Sequence, residues 1–179
     1  SCLVTQNVDG LHQRAGSRNV IDLHGRVDTL SCMACGMQYP RAPLQIWLED
    51  HNPEYALLAG GIAPDGDADI DHLDYSSMEI PDCQHCGGII KPNAVFYGDS
   101  IPKQRVTQAE QAMQGAAGLL VVGSSLMTYS GYRFCLWAKR QGKPILLLND
   151  GKTRADEIAS AKMGGSCSTA LQAWIDALG

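Results

Sequence analysis

The sequence predicts an α/β fold: a doubly wound parallel sheet with a small metal-binding module inserted. Three observations carry this. Apolar runs at 2–5, Leu119–Val122 and Ile145–Leu148 have the length and make-up of buried strands. They end in Gln6-Asn7, Gly123-Ser124-Ser125 and Asn149-Asp150-Gly151, and helix-like segments alternate with them. Finally, Cys32-Met33-Ala34-Cys35 and Cys83-Gln84-His85-Cys86 form two C-x-x-C pairs.

The first strand turns abruptly polar at Gln6-Asn7-Val8-Asp9-Gly10. In an open parallel sheet, ligands sit outside the carboxyl ends of strands, so amides and a carboxylate here suit a polar ligand. The same residue types also build turns for conformational reasons, and from spacing alone both readings stand. Residues 11–15 form a short helical turn ended by Gly16-Ser17, and Asn19-Val20-Ile21 leads toward His24. On composition alone, a lone histidine beside an apolar stretch is more often a hydrogen-bonded structural residue than a catalyst.

Each C-x-x-C pair is followed by glycine, Gly36 or Gly87-Gly88, as knuckles need whose backbone folds back toward the thiolates. Cys32, Cys35, Cys83 and Cys86 are the expected ligands of one tetrahedral zinc, with His85 left out because four positions are filled. Full thiolate coordination leaves no site for water, so this zinc is structural. Between the pairs, 45–48 reads as a short amphipathic helix. The acidic run from Pro64 to Asp71 invites a calcium-loop reading but fails it, because Ile70 or His72 stands where the sharp-turn glycine belongs.

Lys91-Pro92-Asn93-Ala94-Val95-Phe96-Tyr97-Gly98 returns the chain to the main domain. Residues 103–114 are helical, with Val106, Ala109 and Met113 at helical spacing and Gly115 as the stop. Residues 130–141 form the helix between the last two strands, and 169–178 close the domain. The expected organisation is a nucleotide-type domain over 1–28 and 91–179, with the zinc module at 29–90.

Composition narrows the function classes. A chain of 179 residues, 45% hydrophobic, can bury a real core. Its net charge of -5 and the absence of Lys or Arg between Arg41 and Lys91 argue against direct nucleic-acid binding, including a nucleic-acid zinc ribbon. No apolar run is long enough for a membrane span. Seven cysteines, an odd number, fit a reducing compartment, by default the cytoplasm. Oligomeric state is not legible.

Thr5-Gln6-Asn7-Val8-Asp9-Gly10-Leu11-His12, Ala15-Gly16-Ser17, Leu23-His24-Gly25, the paired cysteines, Gly98-Asp99, Gly123-Ser124-Ser125 and Leu148-Asn149 together resemble the sirtuins, NAD-dependent protein lysine deacylases. The resemblance spans essentially the whole chain, and Pro-Asp-Gly-Asp at 64–67 is similar to the branch that includes mitochondrial members. It implies a Rossmann-like fold, NAD and zinc as cofactors, and acyl-lysine proteins as substrates. In a eukaryote the location would be mitochondrial. It assigns Gln6, Asn7, Val8, Asp9, Gly123, Ser124, Ser125, Asn149, Asp150, Gly151 and Cys167 to NAD, with Cys167 near the adenine. His24 becomes the general base, with Asn7 beside it as a catalytic amide, and His12 a structural residue. Val95, Phe96 and Gly98 are expected to bind the substrate peptide along a strand edge. Ala94 replaces a bulkier valine of the family pattern, which either widens the acyl-lysine channel or repacks the core.

The family's upstream Gly-Ala-Gly pyrophosphate loop has no counterpart here. The chain therefore reads as a fragment lacking the N-terminal part of the sheet, expected to be inactive alone. Two other functions remain: a mono-ADP-ribosyltransferase, distinguished by products that keep the acyl group on lysine, and a non-catalytic zinc-bearing interaction module. Retention of His24 and the Gln-Asn-x-Asp set argues against the last.

Overall fold

In a computed structural model, residues 1–56, 61–62, 68–69 and 74–179 are described. The elements begin with β1 (Leu3–Thr5), α1 (Leu11–Arg14), β2 (Val20–Asp22), β3 (Gly25–Cys32), β4 (Gln38–Pro40), α2 (Arg41–His51) and α3 (Pro53–Ala56). They continue with β5 (Gly61–Ile62), β6 (Ala68–Asp69), β7 (Ile90–Ala94), α4 (Lys103–Gly115), β8 (Leu119–Val122), α5 (Tyr129–Arg140), β9 (Ile145–Leu148), β10 (Ala161–Met163) and α6 (Cys167–Leu178). The chain divides into two compact units. One holds Ser1–Gln6, His12–Leu23 and Gly98–Gly179; the other holds Asn7–Leu11 and His24–Tyr97.

The first unit is α/β with parallel pairing throughout. β1 pairs with β2 in the register Leu3↔Val20 to Thr5↔Asp22. β9 lies between β8 and β10, with Val121 opposite Leu147 and Lys162 opposite Leu147 on the other side. Parallel neighbours need a crossover, and α5 supplies the one from β8 to β9. Its buried residues Gly131, Phe134, Cys135 and Ala138 recur at helical spacing, forming a single apolar stripe. That stripe packs with Met113, Val121, Leu126, Ile145, Leu147 and Ala155, while Leu23 and Ala109 gather around Phe134 in a second cluster.

Two expectations need correction here. The runs at Leu119–Val122 and Ile145–Leu148 are not buried on both faces: Leu120 is 45% and Leu146 44% exposed. Side chains alternate along a strand, and the core cluster that takes in α5 covers the face that carries Val121, Ile145 and Leu147. The last helix also starts earlier than 169, at Cys167, because the Ser166 hydroxyl accepts the Thr169 amide and caps it. Strand β10, absent from the sequence reading, has no apolar pattern; it exists because Ser160 donates to the Ile145 carbonyl and Asn149 to the Met163 carbonyl.

The second unit is built on an antiparallel sheet in the order β4–β3–β7. β3 pairs with β7 from Cys32↔Ile90 to Gly25↔Ala94, with an irregularity between Gly25 and Leu30. The helix expected at 45–48 is longer, Arg41–His51, and tolerates Pro43 in its first turn, where the missing amide proton costs no helical bond. Buried Asn52 ends it: its side chain donates to the carbonyls of Leu48 and Glu79, both at 2.9 Å, and accepts the Glu79 amide. β5 and β6 form a short antiparallel pair. The acidic run 64–67 and its continuation at 70–71, with the calcium-loop reading, lie outside the described residues.

Candidate zinc and cofactor sites

The two knuckles bring the Sγ atoms of Cys32, Cys35, Cys83 and Cys86 within 4.8 Å of one another. Cys32 and Cys86 are 3.6 Å apart and Cys35 and Cys83 are 3.7 Å apart. Zinc–sulfur bonds of about 2.3 Å in a tetrahedron set sulfurs roughly 3.8 Å apart. The donor set therefore fits zinc, and His85 is not in the cluster. The glycines do what the spacing required. Gly36 and Gly87 take φ of 74° and 69°, and their amides return to the carbonyls of Cys32 and Cys83. A side chain at Gly88 would come within 3.0 Å of the Cys32 sulfur and 3.3 Å of the Cys86 sulfur.

Tyr39 was not anticipated. Its hydroxyl lies 3.0 Å from the Cys83 sulfur, and that hydrogen bond is the main reason the Cys83 thiol is lowered to about 6. The tyrosine is pushed up to about 12 in return, first by the same bond and then by burial. A hydroxyl donated to a thiolate fixes the ligand's direction as an outer-shell partner does.

In the first unit, the ends of β8 and β9 carry the predicted cofactor loops. The Gly123 amide donates to the Leu148 carbonyl at 2.9 Å. Cys167, at the start of α6, directs its thiol to that carbonyl at 3.5 Å, and its sulfur would meet a side chain at Gly123 at 3.8 Å. Gly123, Leu148 and Cys167 are thus one locus. The Asn149 amide nitrogen donates to the Gly151 carbonyl, and an Asp150 carboxylate oxygen accepts the Gly165 amide. Gln6 reaches the start of α5: its Nε2 donates to the hydroxyls of Thr128 at 3.1 Å and Ser130 at 3.3 Å, and its Oε1 accepts the Ser124 hydroxyl at 3.4 Å. Gly131 makes room, since a Cβ there would stand 2.8 Å from Gln6 Oε1. Thr128, Ser130 and Gly131 escaped the sequence reading. Gly98, in this unit, has φ of 93°.

In the second unit, one Asp9 carboxylate oxygen accepts the Leu11 amide at 2.9 Å, and the Val8 carbonyl accepts the Val27 amide at 3.0 Å. Asp9 therefore does build the turn. The Val95 amide donates to the His24 carbonyl at 2.8 Å, extending the β3–β7 pairing beyond Ala94. Among the described residues, β7 pairs only with β3, so it is an edge strand; it holds Pro92, a residue suited to edges. Phe96 is 53% exposed, with the Lys91 ammonium 5.4 Å from its ring centre. Ala94 is buried at the end of β7.

A family model described as Sir2 matches residues 1–130. The chain belongs to the Sir2 family. An NAD-dependent protein deacetylase of Bordetella bronchiseptica is 52% identical over 169 residues, which is 94% of this chain and 62% of that protein. The corresponding protein of Xanthomonas axonopodis pv. citri is 52% identical over 94% of this chain and 58% of its own length. The chain thus spans about three fifths of the curated relatives it matches. Among solved structures, Sir2 with a p53 peptide and NAD+ superposes with a TM-score of 0.77 at 29% identity, covering 98% of this chain and 62% of that one. Sir2 bound to acetylated peptide gives 0.78 at 28% identity, covering 98% and 63%. No described helix of this sirtuin is long and apolar enough to cross a membrane.

Proposed function

We propose that this sirtuin sequence carries the chemistry of an NAD-dependent protein lysine deacylase. The observation that supports it most directly is the hydrogen bond from the Val95 amide to the His24 carbonyl at 2.8 Å, which sets the residue that carries the imidazole beside the end of β7, an edge strand among the described residues. An edge strand binds an extended peptide through its backbone, whatever the side chains around the modified lysine. Val95 and Phe96, which follow β7, are assigned to the peptide, as is Gly98, and acyl-lysine proteins are the substrates.

His24 acts as general base on a ribose hydroxyl. A neutral imidazole can accept that proton through its unprotonated ring nitrogen. Asn7 and Asp9 present an amide and a carboxylate, partners for ribose and for a carboxamide NH2. Gln6, Ser124 and Ser125 offer hydroxyl and amide groups, and Asn149, Asp150 and Gly151 a second polar loop, at strand ends where nucleotides bind. Val8, Gly123 and Cys167 complete the set. This donor set suits a dinucleotide, whose surface is hydroxyls and phosphate oxygens. NAD, when bound, supplies the ribose that receives the acyl group and releases nicotinamide. The zinc cluster is structural, and its four thiolates suit a reducing compartment, the cytoplasm.

Incubation of this sequence, carried within a chain of its relatives' full length, with an acetyl-lysine peptide and NAD, followed by mass spectrometry, tests the reading. Equal amounts of nicotinamide and O-acetyl-ADP-ribose, with free lysine, are expected. ADP-ribose attached to protein while the acetyl group stays on lysine would replace it with the transferase reading, and neither product would remove both.

A further inference from the structure

The loop from Gly123 to Thr128 joins β8 to α5 and carries Ser124 and Ser125. Its geometry is held against a local backbone preference, because Leu126 has φ of 58°, the left-handed region that leucine avoids. Two things hold it. The Leu126 side chain is 5% exposed and belongs to the core cluster with Val121, Cys135 and Ala155, and its amide donates to the Ser124 hydroxyl at 3.3 Å. Arg154, from the segment after β9, captures the carbonyls on either side of it. Its backbone amide donates to the Ser125 carbonyl at 2.9 Å, and its Nη1 to the Met127 carbonyl at 3.1 Å. The guanidinium carbon lies over the Tyr132 ring on α5, 4.6 Å from its centre, so the cation is steadied in the position from which it donates.

We infer that Arg154 is a positioning residue that clamps the Gly123–Thr128 loop in its left-handed turn and so presets Ser124 and Ser125 for the dinucleotide. The inference rests on the proposed NAD-binding role of that loop. Arg154 follows Asn149, Asp150 and Gly151 by a few positions, so one residue links both strand-end loops. The bond from its backbone survives substitution by alanine or lysine, whereas with alanine the bond to Met127 and the contact with the Tyr132 ring do not. Lysine in its place can still donate to the carbonyl but loses the guanidinium's contact with the Tyr132 ring.

Two measurements on Arg154→Ala and Arg154→Lys, beside the unsubstituted chain, decide the matter. The first is amide hydrogen exchange without NAD. Arg154→Ala should speed exchange at Leu126 and its neighbours while β8 and β9 keep their protection, and unchanged exchange in the loop overturns the clamp. This holds whether or not the chain binds NAD, so failure of the functional reading and failure of the clamp are separate results. The second is calorimetry with NAD and, separately, an acyl-lysine peptide. Arg154→Ala should weaken NAD roughly five- to tenfold, the scale of one hydrogen bond and its preorganisation, with Arg154→Lys between it and the parent. Peptide affinity and thermal midpoint should stay put. Equal loss for NAD and peptide, or a fall in thermal midpoint that matches the loss in NAD affinity, assigns Arg154 to general stability and overturns the positioning role.

Discussion

The Val95 amide and the His24 carbonyl are joined at 2.8 Å, backbone to backbone. Because that bond involves no side chain, His24→Ala leaves it standing and removes only the imidazole. Loss of a general base typically costs about 10²–10⁴ in rate. In a chain of the relatives' full length, turnover of an acyl-lysine peptide should therefore fall by that amount while NAD affinity, read by calorimetry, stays close to that of the parent. A variant that deacylates within tenfold of the parent would take the base role away from His24.

One zinc per chain is expected by elemental analysis, and Cys83→Ala should release it and unfold the knuckles, since three thiolates leave the shell incomplete. Tyr39→Phe is the finer probe. It removes only the hydroxyl 3.0 Å from the Cys83 sulfur, so zinc affinity in a chelator competition should drop roughly ten- to a hundredfold while the fold persists. Identical competition curves would mean that the hydroxyl does not orient the thiolate.

The four-cysteine cluster was legible in the sequence because C-x-x-C spacing states its chemistry within four residues. The parallel strands at Leu119–Val122 and Ile145–Leu148 were legible as apolar runs, but their exposed faces were not. A run of leucine and valine has no polar alternation to reveal that Leu120 and Leu146 stay exposed while Val121, Ile145, Leu147 and Leu148 are buried. The surroundings of Gln6 were illegible for a different reason: its partner Thr128 is 122 positions away. Tyr39 and Arg154 are hidden in the same way, since each acts through a contact that only folding creates.

A pH-dependent contribution is built around Asp156. Its carboxylate accepts from Thr153 and from the Lys162 ammonium at 3.0 Å, and Lys162 also donates to the Gly151 carbonyl at 2.9 Å. The Thr153 hydroxyl first, and Lys162 next, hold its pKa below the ordinary 3.8. Folding therefore favours the charged form. The resulting stability is present above about pH 4 and lost as pH falls through the still lower value of the folded chain. Asp156→Asn should lower the thermal midpoint at pH 7, and the gap should narrow as melts are repeated toward about pH 3. A gap of constant size across that range would show that the carboxylate's charge contributes nothing.

Gly131→Ala separates stability from binding in one substitution. Gly131 lies in the first turn of α5, and alanine is the better helix former by up to about 1 kcal/mol, so the helix itself gains or loses little. The new methyl group would stand 2.8 Å from Gln6 Oε1 and 3.2 Å from its Cδ, which are the far end of a flexible side chain rather than backbone. Gln6 can swing away without disturbing the core. In doing so it gives up its bonds to Thr128, Ser130 and Ser124, and the hydroxyls that it aligns at the start of α5 lose their common partner. The thermal midpoint should therefore hold or rise slightly while NAD binds about five- to tenfold more weakly, the scale of one lost hydrogen bond. A matched Gln6→Ala variant should show the same loss, and the double variant no more than either, because both changes remove the same contacts. Additive losses in that cycle would mean that Gly131 acts on the cofactor by a route other than Gln6.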